Sequence, residues 1–423
     1  MSLPAAQGER SFRAFVGAQF LGAFNDNLFK QLIALLAAAT LFPGQDKQGI
    51  AFAVFALPFV LFSGMAGDLS ERYSKRSIIW RMKVAEIFIM LAAIWALQTA
   101  NWYFLLATLF VMGAQSAFFG PSKYGVMPEL LPPERLIPAN STVAMTTFLA
   151  ALFGGALAGP LLDWFGPGAQ VSRMWLPGLF CVVFAIVGTA FARFIAPVPA
   201  TRPDLVVSMN PFGSLPSTIR RLRSEKGLFR IVVLYSLFWF DSAVINQAIN
   251  GMGRPGYLDV PIDQKKELSF LLALISVGII IGSFAARFLA RRLPLSRLVL
   301  AGGTVMVAMQ ALLLCVGTVF HRGDGAHAFA GAVLLVTGIA GALFVVPLQS
   351  YLQDGPPPGM RGQTFAVNNF MNFLFMFLGG VYWIVAGDLL GPTVGQIVSG
   401  ALMLIYLWSN RSAVEGIRIG GRA

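Results

Sequence analysis

Asp26 and Lys30 stand four residues apart inside an apolar stretch running from about Phe12 to Leu41. At bilayer depth a charged side chain costs roughly 2.5–3.5 kcal/mol, so it persists where it pairs, faces a protein interior or lines a water-filled path. The i, i+4 spacing lets the two side chains meet on one helical face, and Gln19, seven residues before Asp26, falls on the same stripe. The first helix is therefore expected to carry a polar line through lipid, with the amides of Asn25 and Asn27 beside it. Such a line can bind a polar or charged group, or hold a proton on a titrating carboxylate. Further polar side chains interrupt other apolar stretches: Glu86, Asp163, Asp241, Asn246, Gln247, Asn250, Asn368, Asn369 and Asn372. Helical geometry puts Asn246 with Asn250, and Asn368 with Asn372, on common faces. Asp241 lies near mid-helix as Asp26 does, without a lysine partner in its own segment. Amides at this depth serve equally as interhelical hydrogen bonds.

Other chemistry is weakly represented. The two histidines, His321 and His327, flank an outer loop, and neither has an acidic residue five positions later, so the acid-paired general base of an acyltransferase is missing. Cys181 and Cys315 fall within apolar stretches, which gives no disulfide framework and no metal-ligand spacing. No catalytic residue, metal or cofactor is expected.

The elements that must position these side chains follow from composition. With 57% hydrophobic and 12% charged residues, the chain is expected to be an all-α polytopic membrane protein. Twelve apolar stretches near the spanning length of about 20 residues can be read. They lie at about Phe12–Leu41, Gly49–Gly67, Ser77–Gln98, Trp102–Gly120, Ala139–Trp164, Met174–Ala196, Leu228–Asn250, Leu268–Ala290, Ser296–Phe320, Ala328–Gln349, Thr364–Gly387 and Thr393–Trp408. The first is too long and too polar for a cleavable signal peptide and is expected to stay.

Basic residues set the orientation. Arg72, Lys75, Arg76, Arg81, Lys83, Arg220, Arg221, Arg223, Arg287, Arg291 and Arg292 fall on one side; the other holds Lys47, Arg173, Arg254, Lys265, Lys266 and Arg322. The positive-inside rule then places both termini in the cytoplasm. The net charge of +12 is topogenic, and nucleic acid is not an expected partner because no basic soluble domain is present.

The two halves are related. One common offset places Gly113 on Gly338, Gly154 and Gly155 on Gly379 and Gly380, and Asp163 on Asp388, which argues for a duplication. Residues 1–196 are expected to form one six-helix bundle and residues 228–423 another. The Pro-, Ser- and Arg-rich segment 197–227, ending in the basic stretch Ile219–Lys226, is expected to be a cytoplasmic linker. In such parallel repeats a substrate site lies near the bilayer midplane.

Gly64, Asp68, Arg72, Lys75 and Arg76 follow G-x-x-x-D-x-x-x-R-x-x-[KR]-[KR] after the second stretch, a pattern that resembles the loop signature of the major facilitator superfamily. Gly64 permits close helix approach, and Asp68 with Arg72 can form a charge relay that closes the cytoplasmic side and breaks on opening. The strings AQFLGAFNDNLFKQ (Ala18–Gln31), GAQSAFFGPSKYGVMPELLP (Gly113–Pro132) and AVNNFMNFLFMFLGG (Ala366–Gly380) are similar to the lysophospholipid transporter family. They are most like the transporter half of bacterial transporter–acyltransferase fusions.

That resemblance implies the major facilitator fold and a monomeric flippase in the bacterial inner membrane. It would move lysophosphatidylethanolamine or lysophosphatidylglycerol from the outer to the inner leaflet by alternating access with lateral lipid entry. A separate acyltransferase would then reacylate the lipid. Such a site needs an anion for the ammonium, a cation or amide donors for the phosphate, and an apolar wall for the acyl chain. Asp26, Asn25, Asn27, Lys30 and Gln19 suit the headgroup. Lys123, beside Tyr124 in a Gly- and Pro-broken stretch, suits the phosphate, while Asp241, Asn246, Asn250, Asn368 and Asn372 offer contacts from the second half. The alternative is a proton-coupled major facilitator exporter of amphipathic small molecules, titrating Asp26, Glu86 or Asp241.

Overall fold

The computed structural model describes residues 5–42, 45–167, 169, 172–207, 210, 212, 215–225, 227–320, 324–357 and 360–417. His321, Arg322 and Lys226 lie outside the described residues. Among those described, no strand forms and twelve long helices follow one another. They are α1 (Ala5–Leu35), α2 (Gln48–Arg72), α3 (Lys75–Thr99), α4 (Trp102–Gly125), α5 (Pro133–Phe165), α6 (Trp175–Arg193), α7 (Leu228–Gly251), α8 (Lys266–Leu289), α9 (Leu295–Leu312), α10 (Asp324–Asp354), α11 (Arg361–Leu389) and α12 (Gly391–Ser409). A short basic helix, Leu215–Ser224, lies in the segment expected to be a linker.

Among the described residues, ten of these helices are long and apolar enough to cross a membrane. The other two long helices are α1, which carries Glu9, Arg10, Arg13, Asp26 and Lys30, and α3, which carries Lys75, Arg76, Arg81, Lys83 and Glu86. The chain is a multi-pass membrane protein. Large apolar side chains such as Phe88, Tyr103, Phe284 and Ile405 are exposed, as an outer face in contact with lipid allows.

Local signals set some ends. The Asn101 side chain accepts the N–H groups of Tyr103 and Phe104 and so caps α4. Helix α1 runs on into a π-helical turn, Leu36–Thr40.

The chain divides into two compact units. The first comprises Met1–Ile33, Val54–Gly213 and Ile262–Lys266; the second comprises Ala34–Ala53, Ser214–Pro261 and Glu267–Ala423. The division differs from the expected 1–196 and 228–423 bundles in one main respect. The segment from the last turn of α1 to the first turns of α2 groups with the later half, because Ala34 and Phe52 cluster with Ala243 and Asp46 and Gln48 bond to residues of α7 and α11.

In the first unit α3 packs on α4 and α6, and a core cluster gathers Phe15, Ala18, Ile79, Met127, Val143 and Ile195. Helix α5 lies against α1 at Gly154, where a Cβ would strike the Phe24 carbonyl oxygen and meet the Leu28 nitrogen at 3.1 Å. Glycine at that position lets two backbones approach and brings the polar face of α1 against α5. In the second unit α7 packs on α11 and α12, and α9 on α10 and α12.

Candidate functional site

The polar stripe of α1 meets two other helices within the first unit. Ser116 of α4 donates its hydroxyl to Asp26 Oδ2 at 2.5 Å. Asp26 Oδ1 is buried and has no hydrogen-bond partner among the described residues. Lys30 Nζ donates to Asn27 Oδ1 at 3.1 Å and lies 5.3 Å from the centroid of the Phe55 ring. Asn27 in turn donates to the Ala23 carbonyl at 2.8 Å.

A second chain of bonds continues from Gln19. Its amide donates to Thr146 Oγ1 at 2.5 Å and accepts from Thr147 Oγ1 at 3.0 Å, while Lys123 Nζ donates to Thr147 Oγ1 at 2.9 Å. Lys123 is buried, lies 5.6 Å from the centroid of the Tyr124 ring and is within electrostatic reach of Asp26. Tyr124 itself is exposed. Helices α1, α4 and α5 thus bring Gln19, Asp26, Lys30 and Lys123 into one polar system holding a carboxylate and two ammonium groups.

Asn25 turns the other way. It donates to Glu86 Oε1 at 3.0 Å and to the Cys181 carbonyl at 3.1 Å. Glu86 had no assigned partner in the sequence; its partner is Lys83, 2.5 Å away, with both side chains 1% exposed. Lys83, expected among the topogenic basic residues, is instead buried in α3, and a Cβ at Gly188 would come within 2.7 Å of its ammonium. The signal was present, since Lys83 precedes Glu86 by three residues, a spacing that pairs on a helix.

The signature loop also lies in the first unit. Lys75 pairs with Glu129 and bonds Thr201, each at 2.5 Å. Arg76 donates to the carbonyls of Ile195 and Arg193, and the Arg72 guanidinium lies 5.5 Å from the centroid of the Tyr73 ring. Gly64 and Asp68 are half-buried near the end of α2. Glu129 and Thr201 were absent from the sequence reading.

In the second unit the expected residues disperse. Asp241 is buried and accepts from Gln310 Nε2 at 2.6 Å and Ser399 Oγ at 2.7 Å. Asn250 donates to Gln48 Oε1 at 3.0 Å, and Asn372 accepts from Ser236 Oγ at 3.0 Å. The Oδ1 atoms of Asn246 and Asn368 are buried without a partner among the described residues.

The densest network in this unit was not visible in the sequence. Asp46 Oδ2 accepts from Trp383 Nε1 and Gln48 Nε2, both at 2.9 Å, and forms an ion pair with the Arg254 guanidinium at 2.8 Å. Gln48 also donates to the Gln247 carbonyl at 2.7 Å. Burial draws the Arg254 guanidinium below its ordinary value, with Asp388 and Tyr257 opposing. Among the described residues no group of His, Cys, Asp and Glu is placed to hold a metal ion.

Comparison with known proteins agrees with this architecture. The Major Facilitator Superfamily model matches residues 15–380. The lysophospholipid transporter LplT of Enterobacter sp. (strain 638) is 27% identical over 412 residues, covering 95% of this chain and 96% of the relative. LplT of Klebsiella pneumoniae (strain 342) is 27% identical over 420 residues, covering 94% and 96%. Among solved structures, a POT family transporter in complex with 5-aminolevulinic acid superposes with a TM-score of 0.73 at 12% identity, covering 95% of each chain. A bacterial homologue of the human lysosomal transporter Spinster gives 0.69 at 12% identity over 100% of each. At these identities the two structures speak to the fold alone.

Proposed function

The chain belongs to the Major Facilitator Superfamily, and from that premise we propose that it is a lysophospholipid transporter. It moves lysophosphatidylethanolamine or lysophosphatidylglycerol from the outer to the inner leaflet of a bacterial cytoplasmic membrane, where a separate acyltransferase reacylates the lipid. Relatives named lysophospholipid transporter align along nearly their whole length, which supports the reading.

One observation carries it: Asp26 is fixed by Ser116 through one oxygen and presents the other without a hydrogen-bond partner among the described residues. A buried acceptor left unmade is costly unless a ligand completes it. The ammonium of lysophosphatidylethanolamine, or the glycerol hydroxyl of either lipid, supplies the missing donor. Lys123, steadied by Thr147 and Gln19, supplies the positive charge for the phosphate. Asn27 and Lys30 on α1 and Tyr124 beside Lys123 complete the polar surroundings of the headgroup within the first unit. The acyl chain stays in contact with lipid as it enters sideways.

The protein works as a monomer with both termini cytoplasmic. Gly64, Asp68, Arg72, Lys75 and Arg76 form the cytoplasmic gate, and no residue acts as a catalyst. Uptake of labelled lysophosphatidylethanolamine into proteoliposomes, with and without an uncoupler, tests the reading. Uptake that survives the uncoupler is expected; uptake abolished by it, or absent, would favour a proton-coupled exporter of another amphiphile.

A further inference from the structure

Consecutive residues of a helix point about 100° apart, and Asn25 and Asp26 use that angle to face different neighbours. Asp26 receives the hydroxyl of Ser116 on α4. Asn25, fully buried, turns to α3 and α6, where its amide donates to Glu86 Oε1 at 3.0 Å and to the Cys181 carbonyl at 3.1 Å. Both neighbours are acceptors, so the amide nitrogen must face them, and one side chain ties α1 to two other helices.

The acceptor is itself held in place. Glu86 pairs with Lys83 at 2.5 Å, and Thr189 of α6 donates its hydroxyl to the Lys83 carbonyl at 2.7 Å. Gly22, on the turn of α1 before Asp26, leaves the room the pair occupies: a Cβ there would lie 3.3 Å from the Lys83 ammonium and 3.7 Å from Glu86 Oε2. Asp26 is within electrostatic reach of both members of the pair. A lone Glu86 carboxylate would repel that of Asp26. Paired with Lys83, it accepts from Asn25 without adding net negative charge beside the site.

The rotation of α1 decides where Asp26 points. An atom roughly 5–6 Å from a helix axis travels about 2 Å when the helix turns by about 20°, and a hydrogen bond does not survive a stretch of about 1 Å. We propose that Asn25 and Glu86 are positioning residues for the headgroup site: they fix the rotation of α1 so that Asp26 meets Ser116 through one oxygen and offers the other to the lipid. Neither touches the lipid itself. The inference rests on the assignment of Asp26 to the lipid path.

The test is the concentration dependence of labelled lysophosphatidylethanolamine uptake into proteoliposomes, with rates expressed per folded protein. Asn25→Ala, which leaves the Lys83–Glu86 pair intact, is expected to raise KM roughly fivefold or more while the maximal rate stays within about twofold, the pattern of weakened binding. Two charge-free variants isolate the acceptor. Lys83→Met with Glu86→Gln keeps an oxygen for Asn25 and is expected to hold the parental KM; Lys83→Met with Glu86→Leu removes that oxygen and is expected to raise KM as Asn25→Ala does. Asn25→Ala carries the test if the leucine variant does not fold. Parental KM in Asn25→Ala, with only Tm lowered, overturns the proposal by making the contact structural alone. So does one KM shared by the glutamine and leucine variants. A parent that takes up no lysophosphatidylethanolamine fails the lipid reading first and this inference with it, whereas parental uptake with an unchanged KM in the variants fails this inference alone.

Discussion

Asp163 and Asp388, which occupy one position in the two related halves, each accept a backbone N–H at the start of a helix. Asp163 takes the N–H groups of Lys265 at 2.5 Å and Lys266 at 2.8 Å, where α8 begins. Asp388 takes that of Asp46 at 2.9 Å, two residues before α2. Asp163 thereby caps α8 from a distant helix end, satisfying a donor that a helix start leaves without an intrahelical partner, while Asp388 fixes the Asp46 N–H just ahead of α2, where Asp46 Oδ1 in turn accepts the Gln48 N–H at 3.1 Å. Replacing either by alanine is expected to lower stability by about 1 kcal/mol while leaving insertion intact, read as a drop in Tm of the purified protein.

Removing Lys83 is expected to be severe. Lys83→Met leaves Glu86 buried without its counter-charge, and breaking such a pair costs roughly 3–5 kcal/mol. Lys83→Met combined with Glu86→Gln removes both charges and is expected to recover most of the loss. A double-mutant cycle in thermal unfolding checks the pairing; equal damage in the single and double variants would contradict it.

Asp46→Asn is expected to loosen the second unit. Trp383 and Gln48 donate to one oxygen and the Arg254 guanidinium pairs with it, and the substitution takes away its charge, leaving Arg254 with Asp388 at 3.7 Å. The expected cost is on the order of 2 kcal/mol, with faster hydrogen exchange at the start of α2. Unchanged exchange there would contradict a binding role for this network.

Gly154→Leu is expected to separate α5 from α1. The added side chain starts against the Phe24 carbonyl and the Leu28 nitrogen, two backbone groups that cannot rotate away. Lower transport with reduced Tm is expected. Gly155, next in sequence, has nothing within 4 Å of an added Cβ, so Gly155→Ala serves as the tolerated control.

Much of the fold was legible because spanning helices announce themselves by length and apolarity. What the sequence concealed lies in pairings between distant segments. Asp26 looked like the partner of Lys30, four residues on, yet its hydrogen bond comes from Ser116, on another helix. Asn25 looked like a neighbour of Asp26 and instead faces Glu86. Lys83 was readable as the partner of Glu86 by spacing, but its place near a basic loop suggested a topogenic role. Asp46 resembled an ordinary loop residue because nothing in helical periodicity shows that Trp383 and Arg254 converge on it.

Transport of labelled lysophosphatidylethanolamine into proteoliposomes by the parent and Asp26→Asn tests the central claim most directly, with insertion and folding checked for both. Asp26→Asn keeps the shape of the side chain and its contact with Ser116 but removes the charge that receives the headgroup's donor. Uptake is expected to fall at least tenfold, the equivalent of about 1.4 kcal/mol, with membrane insertion and Tm close to the parent's. Uptake at the parental rate would contradict the assignment of Asp26 to the substrate path.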